Sequence, residues 1–466
     1  MAAQFGMIGL GTMGRNLVLN MADKGFAVCG YDRDPAQQKR LVEEAAGKAV
    51  QAVASMKELV NSLETPRRIM MLVPAGKIVD AVIDEVSPLL QPGDILIDGG
   101  NSHFTDTNTR IERLKATGIH FTGMGISGGE EGARLGPSMM PGGSPEGYAE
   151  LKNILEKIAA QTEDGPCVCF TGTGSAGHYT KMVHNGIEYA MMQLISEVYD
   201  LLKKMGGLNN AGLQQIFAEW NKTELQSFLI EITAIVLAKK DGETNKPLVD
   251  MVLDKAKQKG TGMWTSQSAM DLNVPLTIID AAVSMRYLSA MKEERVAAAS
   301  QYSFQQSSSA TDQQQLLSLC KNALHFGFLL SYAQGLQLLA TASATYNYGV
   351  DISEVIRIWK GGCIIRSALL NDLRKAYLQD GSLTNIIRSP LFQPQLVSLR
   401  KDVVVLVNMA TVAGIPVAAL SAALQYFDAW CTPHLPANLI QAQRDYFGAH
   451  TYERIDKPGS FHTDWN

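Results

Sequence analysis

The stretch FGMIGLGTMG, residues 5–14, decides how the rest of the chain is interpreted. An apolar run leads directly into three glycines, Gly9, Gly11 and Gly14. Such glycines fit an ordinary turn, but they also fit a phosphate-binding loop. In that loop the first glycine permits a tight turn, the second lets the backbone approach a pyrophosphate, and the third lets the next helix pack closely on the sheet. The flanking sequence decides between the two.

The context of this motif favours the phosphate-binding loop. A predicted strand precedes it, a predicted helix follows it, and a second predicted strand ends at Tyr31-Asp32-Arg33, with Asp32 18 residues past Gly14. Asp32 lies where a carboxylate accepts hydrogen bonds from an adenosine ribose, and it would repel a 2′-phosphate, which favours NAD. Arg33 could instead bind that phosphate, stack on the adenine, or be a plain surface charge. The predicted dinucleotide site includes Gly9, Leu10, Gly11, Thr12, Met13, Gly14, Asp32 and Arg33.

The bulk composition describes an ordinary globular protein. With 466 residues the chain is too long for one hydrophobic core, and 46% hydrophobic and 19% charged residues predict well-packed domains. The net charge of -5 gives no overall basic surface for nucleic acid or for an anionic membrane. The chain lacks a long apolar run and a signal-peptide pattern, and its six cysteines are sparse. We expect a cytoplasmic protein with reduced, mostly buried thiols.

Strand and helix patterns alternate up to about residue 170, which predicts a Rossmann-like, doubly wound parallel sheet. The strand candidates are FGMIGL, AVCGYD, RRIMMLV, DILIDGG, IHFTGMGI and CVCF, and helical patterns include 15–24 and 78–90. From His178 onward the pattern is helical, and QQSSSATDQQQ, 305–315, is predicted as an exposed loop. The predicted domains are an α/β dinucleotide-binding domain at 1–176, an all-helical domain at 177–433, and a tail at 434–466 that begins after Pro433 and Pro436 break the last helix.

The segment KMVHNGIEY places Lys181, His184, Asn185 and Glu188 on one face of a helix, at i, i+3, i+4 and i+7. A polar helix face is often simply exposed to solvent. The glycine-rich segment before it and the apolar residues around it favour a buried helix whose polar face lines a cleft. A half-desolvated lysine there would have a lowered pKa and could act as a base, with Glu188 as an acid. This pairing suits oxidation of an alcohol followed by protonation of a carbanion-like carbon.

Two glycine-rich loops, DGGNS at 98–102 and ISGGEEG at 126–132, are predicted at the carboxyl edge of the same sheet. Their amides, with Asn101 and Ser127, could bind a carboxylate or a phosphate, although glycine clusters are also common in plain turns. More distant cations and donors suit a phosphate monoester, although each alone could be a surface group: Lys259, Thr261, Arg286, Arg444 and His450. Metal-ligand spacing and a nucleophile elbow are absent from the sequence, so we expect neither a metal site nor covalent hydrolysis.

Over essentially its whole length the sequence resembles the decarboxylating 6-phosphogluconate dehydrogenases. The resemblance rests on long, unusual motifs: GLGTMGRNL, IDGGN, GISGGEEGA, GPSMMPGG, KMVHNGIEY, KGTGMWTSQSA, GGCIIR, LPANLIQAQRDYFGAHTYERID and FHTDW. It implies a metal-independent enzyme of the pentose phosphate pathway that oxidises 6-phosphogluconate at C3. The keto acid then loses carbon dioxide as an enediol, which is protonated at C1 to give ribulose 5-phosphate.

The resemblance also implies a role for each matching position. Lys181 is implied as the base for the C3 hydroxyl and Glu188 as the acid at C1. The implied contacts of the sugar acid are Asn101, Ser127, Gly128, Gly129, His184 and Asn185, with Asn101 also near the cofactor. The implied phosphate and chain contacts are Tyr189, Lys259, Thr261 and Arg286. Arg444 and His450 would come from the other subunit of a homodimer, whose tail completes the neighbouring site.

Two departures from the family pattern concern the cofactor. Many members carry Asn at the position of Asp32 and Lys at that of Pro74, which lies with Val73 and Ala75 in the predicted cofactor loop. Both changes make the site more negative, so we expect NAD or dual use, although the family default is NADP. Two rival hypotheses remain: another β-hydroxyacid dehydrogenase acting on a small 3-hydroxy acid, and a catalytically silent nucleotide-binding protein. The long helical extension argues against the first, and Lys181 with Glu188 against the second.

Overall fold

The computed structural model describes residues 2–302 and 312–465. They belong to two compact units, Met1–Ala423 and Leu424–Asn466. The predicted boundary at residue 176 lies inside the first unit, and the three-domain division of the sequence stays a prediction.

The first unit is built on a seven-stranded sheet with the order β3-β2-β1-β4-β5-β6-β7. Its strands are β1 Phe5–Ile8, β2 Val28–Tyr31, β3 Val50–Ala52, β4 Arg68–Met71, β5 Ile95–Asp98, β6 His120–Ser127 and β7 Ser138–Gly142. Strands β1 to β6 pair in parallel, with Phe5 opposite Val28 and Asp98 opposite Gly123. The carboxyl ends of β1, β4, β5 and β6 therefore share one edge, and the strand order reverses at β1, where such sheets bind ligands.

The predicted strands at β1, β2, β4, β5 and β6 are confirmed, but CVCF, 167–170, was wrongly predicted as a strand. Only Val168 of this segment forms a bridge, with Met139. The Arg357 guanidinium forms hydrogen bonds with two carbonyl groups here, donating to Pro166 O at 2.6 Å and to Val168 O at 3.1 Å. The outermost strand next to β6 is instead β7, which pairs antiparallel to β6. The strand patterns in the sequence did not predict it. A short hairpin, β8 Gln161–Thr162 and β9 Gly165–Pro166, follows.

Helices cover both faces of the sheet. They are α1 Thr12–Asp23, α2 Pro35–Ala45, α3 Met56–Ser62, α4 Lys77–Val86, α5 Phe104–Lys115, α6 Gly129–Leu135 and α7 Pro145–Ile158, with a 3-10 turn at Ser87–Leu89. Side chains alternate between the two faces of each strand. Met7 and Ile97 therefore enter one buried cluster, whereas Ile8 and Leu96 enter the other. The oxygens of Asp34, Ser55 and Ser144 cap α2, α3 and α7.

The remainder of the first unit is helical, as predicted. Its helices are α8 Ala176–Lys204, α9 Asn210–Trp220, α10 Phe228–Ala238, α11 Leu248–Met251, α12 Thr261–Asp271, α13 Thr277–Ala290, α14 Lys292–Gln301, α15 Gln313–Tyr346, α16 Ile352–Ile358, α17 Leu369–Gln379 and α18 Gln393–Val412, with a 3-10 turn at Ile386–Arg388. Small residues let α15 approach α8: a Cβ at Gly335 would lie 2.5 Å from Ile187. Of the predicted loop at 305–315, residues 313–315 begin α15 and 305–311 lie outside the described residues.

The second unit contains the end of α19 Ala418–Trp430, helix α20 Ala437–Gly448, and the antiparallel pair β10 Tyr452–Glu453 and β11 Ser460–Phe461. The buried Asp445 carboxylate accepts hydrogen bonds from the backbone of Thr451 and Thr463, from His462 and from Trp465. The segment from α20 to Trp465 is therefore ordered locally around Asp445, although its sequence has little apolar periodicity. In the part of the chain that the structure describes, no helix is both long enough and apolar enough to span a bilayer.

Candidate active site

The loop after β1 has the geometry that a pyrophosphate site needs. Gly9 adopts a φ of +93°, and a Cβ at Gly14 would lie 1.9 Å from Gly9 O, so α1 can start here only with glycine at both positions. A Cβ at Gly11 would meet only open space, and the first turn of α1 carries no acidic residue. The positive end of the helix therefore faces a free approach for an anion along 9–14.

A cleft of about 410 Å³ adjoins this loop, lined by Gly9, Gly11, Asp32, Arg33, Val73 and Pro74 among others. Asp32 closes the turn, since its carboxylate accepts hydrogen bonds from Leu10 N at 2.6 Å and Asp34 N at 2.9 Å. Its remaining lone pairs can still accept from a ribose. Arg33 is exposed and pairs with Glu85 at 3.2 Å. The cleft and the loop suit an adenine dinucleotide.

Helix α8 reaches the sheet without an intervening layer of side chains. A Cβ at Gly125, in β6, would lie 2.3 Å from the Cβ of Lys181. A Cβ at Gly177, in the first turn of α8, would lie 2.1 Å from Gly123 O and 2.3 Å from Met140 O. Backbone contacts therefore fix where Lys181 leaves the helix, close to the carboxyl end of β6.

A directional chain of hydrogen bonds runs across the site. Ile364 N donates to Ser127 Oγ at 3.4 Å, and Ser127 Oγ lies 3.1 Å from His184 Nε2. His184 Nδ1 lies 3.1 Å from the Asn185 side-chain oxygen, and Asn185 Nδ2 donates to Thr261 Oγ1 at 3.0 Å. An amide oxygen only accepts, so His184 carries its proton on Nδ1 and accepts the Ser127 hydroxyl proton at Nε2.

The proton-transfer candidates are shielded from water. Lys181 is 7% exposed and its Nζ lies 3.5 Å from His184 Nδ1, which in turn lies 3.9 Å from Glu188 Oε2. Burial lowers the pKa of Lys181, while Glu188 opposes this change. Burial also raises the pKa of Glu188, and burial together with Lys181 holds the pKa of His184 well below its usual value. The alternative of a solvent-exposed polar face is therefore wrong for this helix.

The structure places some of the predicted phosphate contacts together. The Arg286 guanidinium stacks 3.7 Å over the ring of Tyr189, and Thr261 is joined to Asn185. Lys259 is exposed two residues before Thr261. The backbone of Gly128 lies beside Gly362, whereas Asn101, Gly129 and Ala75 are exposed at the strand ends. Arg444 and His450 are exposed residues of the second unit, where His450 packs on Phe447.

Two residues that shape this site have no role in the predictions from the sequence. Trp359 is fully buried with its ring 5.7 Å from that of His184, and Ile364 N completes the hydrogen bonding of Ser127. Trp359 lies two residues before the GGCIIR motif and Ile364 lies within it, so the glycines of this motif were the available signal. In residues 2–302 and 312–465, no group of His, Cys, Asp and Glu side chains could hold a metal ion.

The cleft beside the 9–14 loop, together with the buried Lys181 and the partly buried Glu188 on α8, defines a nicotinamide-dependent dehydrogenase. Two family descriptions match the chain: "NAD binding domain of 6-phosphogluconate dehydrogenase" at residues 4–174 and "6-phosphogluconate dehydrogenase, C-terminal domain" at residues 177–465. The chain therefore belongs to the 6-phosphogluconate dehydrogenase family.

Individual relatives agree over the full length. The chain is 50% identical to the Bacillus subtilis (strain 168) protein named "6-phosphogluconate dehydrogenase, NADP(+)-dependent, decarboxylating", covering 99% of both chains. It is 48% identical to the decarboxylating enzyme of Escherichia coli (strain K12), again covering 99% of both. A solved Plasmodium falciparum 6-phosphogluconate dehydrogenase, described in its apo form and in complexes with NADP+ and 6-phosphogluconate, matches with a TM-score of 0.96 and 42% identity. This match covers 99% of this chain and 100% of that one.

Proposed function

We propose that the chain catalyses the oxidative decarboxylation of 6-phosphogluconate to ribulose 5-phosphate and carbon dioxide, with reduction of NAD(P). The observation that carries this proposal is that one face of α8 holds the buried Lys181 and the partly buried Glu188, with Lys181 beside His184 and His184 beside Ser127. Relatives of the same length carry the name of this activity.

The residues that would hold the dinucleotide are those of the 9–14 loop, Asp32, Arg33, the 73–75 loop and Asn101. When bound, the nicotinamide supplies the acceptor for the hydride that leaves C3. The chain's own contribution is orientation, since Gly125 and Gly177 fix α8 directly on the sheet.

Lys181 acts first as a base. Its lowered pKa makes the neutral amine available to take the proton of the C3 hydroxyl as the hydride leaves. The resulting ammonium lies beside the new ketone oxygen. When the C1 carboxylate departs as carbon dioxide, the bond electrons move to form the enediol, and Lys181 returns its proton to that oxygen.

Glu188 then acts as the acid. Its raised pKa keeps the carboxyl protonated to higher pH than an ordinary glutamate. It delivers a proton to the carbon that becomes C1 of the pentose phosphate, while Lys181, neutral again, takes the proton of the enediol hydroxyl so that the ketone of ribulose 5-phosphate forms. His184 stays neutral and, with Ser127, Asn185, Asn101, Gly128 and Gly129, binds the hydroxyl and carboxylate groups of the sugar acid.

The proposed phosphate site begins with Arg286, whose guanidinium carbon lies 3.7 Å from the centre of the Tyr189 ring. Its Nη1 donates to Lys257 O at 2.9 Å, and its other N–H groups are the proposed donors to an anion. Lys259 and Thr261 lie on the approach to it. Arg444 and His450 of the partner subunit would complete the site in a homodimer, which gives the folded 434–466 segment a catalytic purpose.

One assay tests the activity. Purified protein receives 6-phosphogluconate and NADP or NAD, and reduced cofactor and carbon dioxide are measured together. Equal amounts of both products support the proposal. Reduced cofactor without carbon dioxide would indicate a simple hydroxyacid dehydrogenase, and the absence of both would indicate a silent nucleotide-binding protein.

Asp32 gives a prediction about cofactor preference. A carboxylate repels a 2′-phosphate, so we propose NAD or dual use. Asp32→Asn should shift the ratio of kcat/KM for NADP to that for NAD by about tenfold toward NADP. The Asn side-chain oxygen can still accept from Leu10 N, so the loop should stay closed. A wild-type preference for NADP above about tenfold would contradict the proposal.

Arg444 gives a prediction about the dimer. Arg444→Ala, or truncation before residue 444, should raise the KM for 6-phosphogluconate by about 10²-fold while cofactor binding survives. Mixing the inactive proteins Arg444→Ala and Lys181→Met should then restore about a quarter of wild-type activity if protomers pair at random, since each mixed dimer has one complete site. Without such complementation, or with a normal KM after truncation, the partner-tail proposal is wrong.

A further inference from the structure

A buried arginine outside the proposed catalytic set joins two of the loops at the carboxyl edge. Arg110, in α5, is 2% exposed. Its guanidinium donates to four acceptors: Asp80 Oδ1 at 2.7 Å, Asp98 Oδ2 at 3.2 Å, Ser102 Oγ at 3.0 Å and Gly76 O at 3.1 Å. The planar guanidinium can serve several acceptors in fixed directions, which a lysine ammonium does not do.

These acceptors come from two separate loops. Gly76 and Asp80 belong to the turn after β4 and the start of α4, directly behind the 73–75 segment of the proposed cofactor site. Asp98 and Ser102 enclose the loop after β5 that carries Asn101. Within that loop Asp98 also accepts from Gly100 N at 3.0 Å and from Ser102 Oγ at 2.6 Å. Arg110 therefore fixes the spacing between the loop that faces the cofactor and the loop that presents Asn101.

The same network reaches the catalytic helix through His178, one turn before Lys181. His178 Nε2 lies 3.1 Å from Asp98 O, and Nδ1 lies 2.7 Å from Thr107 Oγ1. A carbonyl only accepts, so Nε2 carries the proton, and Nδ1 accepts from the threonine hydroxyl. Burial lowers the pKa of His178, which agrees with this neutral form. The end of β5 is thus tied to α8 as well as to α4.

We propose that Arg110 is a positioning residue, which holds the 73–76 loop, Asn101 and the start of α8 in the arrangement that the reaction needs. This inference rests on the proposed function. It differs from a purely structural role because the groups that Arg110 joins all belong to the edge where ligands bind. Loss of the guanidinium should weaken cofactor binding and misplace the reacting groups. A misplacement of this kind lowers the rate by about 10²-fold.

The same sheet offers a matched control at its opposite edge. Arg67, just before β4, donates to the buried Asp94 carboxylate at 2.9 Å, just before β5. This pair also joins two neighbouring strands through a buried aspartate, but at their amino ends, away from the proposed site. Arg67→Met should therefore destabilise the fold without changing the kinetics.

The experiment compares Arg110→Met, Arg110→Lys, Arg67→Met and wild type. It measures thermal stability, the Kd of reduced cofactor from its fluorescence, and kcat and KM with 6-phosphogluconate. Arg110→Met should raise the Kd about tenfold and lower kcat about 10²-fold, with Arg110→Lys between it and wild type. Arg67→Met should keep both values within about twofold at a comparable loss of Tm.

Equal kinetic effects of Arg110→Met and Arg67→Met, or unchanged kinetics in Arg110→Met, would overturn the proposal. If Arg110→Met does not fold, Arg110→Lys decides alone: an unchanged Kd and kcat overturn the proposal, and a higher Kd with a lower kcat supports it. Wild type without turnover of 6-phosphogluconate would refute the proposed function instead, and the Kd comparison would still report on Arg110.

Discussion

Replacing Lys181 with Met is expected to abolish both reduced-cofactor formation and carbon dioxide release, by at least about 10³-fold. The amine takes the hydroxyl proton in the first step and faces the ketone oxygen in the second, so one substitution removes both functions. Met fills most of the same volume and carries no charge. Rates of cofactor reduction and carbon dioxide release, measured on the same sample, check this prediction.

The matched control is Lys204→Met, at the exposed end of the same helix, where the lysine pairs with Asp200 at 2.7 Å. Its activity should match that of wild type. Because burial lowers the pKa of Lys181 in the folded protein, the unfolded chain binds more protons than the folded one between that lowered pKa and the ordinary lysine value of 10.5. Stability should therefore rise with pH across that window, and Lys181→Met should remove the dependence without lowering Tm. Full turnover in Lys181→Met would refute the assignment.

Glu188→Gln is expected to slow turnover by about 10²-fold, mainly at the final protonation. Activity in wild type should fall as the pH rises through the raised pKa of Glu188, because the carboxylate has no proton to give. The amide of Gln does not titrate, so this alkaline decline should disappear. The rate of the variant should instead rise with pH until Lys181 is fully neutral.

The pH dependence of kcat measures this difference, because the final protonation follows the loss of carbon dioxide. Glu219→Gln, an exposed charge on α9 paired with Lys222, serves as the control. Comparison of reduced cofactor with ribulose 5-phosphate in the first turnover locates the slow step. A pH profile of Glu188→Gln that retains the wild-type alkaline decline would contradict the role of Glu188 as the acid.

Much of the fold could be predicted because local patterns specify it. The glycines at 9–14 and the apolar runs at β1, β4 and β5 carry enough periodicity to place strands, helices and the ligand-binding edge. Strand β7, SMMPG, includes Pro141 and Gly142, which are uncommon inside strands, so its sequence did not indicate one. The CVCF segment has strand-like residues, but the carbonyl of Val168 and that of the preceding Pro166 accept hydrogen bonds from Arg357, which is distant in sequence.

Prediction of the candidate site from the sequence was limited in a similar way. The sequence spacing of Lys181, His184 and Glu188 predicted that they share one face of a helix. Spacing alone could not predict whether that face is buried. The contact between Ser127 and His184 joins residues 57 apart, and that between Ile364 and Ser127 joins residues 237 apart. Such contacts depend on tertiary packing, which no local pattern encodes. No sequence signal distinguishes Arg110, because an isolated arginine in a helix is usually a surface charge.

The close glycine contact between α8 and β6 limits where this chain can be divided or joined to a segment from a related protein. The two family descriptions meet between residues 174 and 177, at a junction where Gly177 lies directly against the carbonyls of Gly123 and Met140. A shortened protein ending near residue 176 would leave these carbonyls and the apolar flank of the sheet bare. Chimaeras spliced at this point should therefore fold only when the helical half keeps Gly177 and the sheet half keeps the backbone against which it packs.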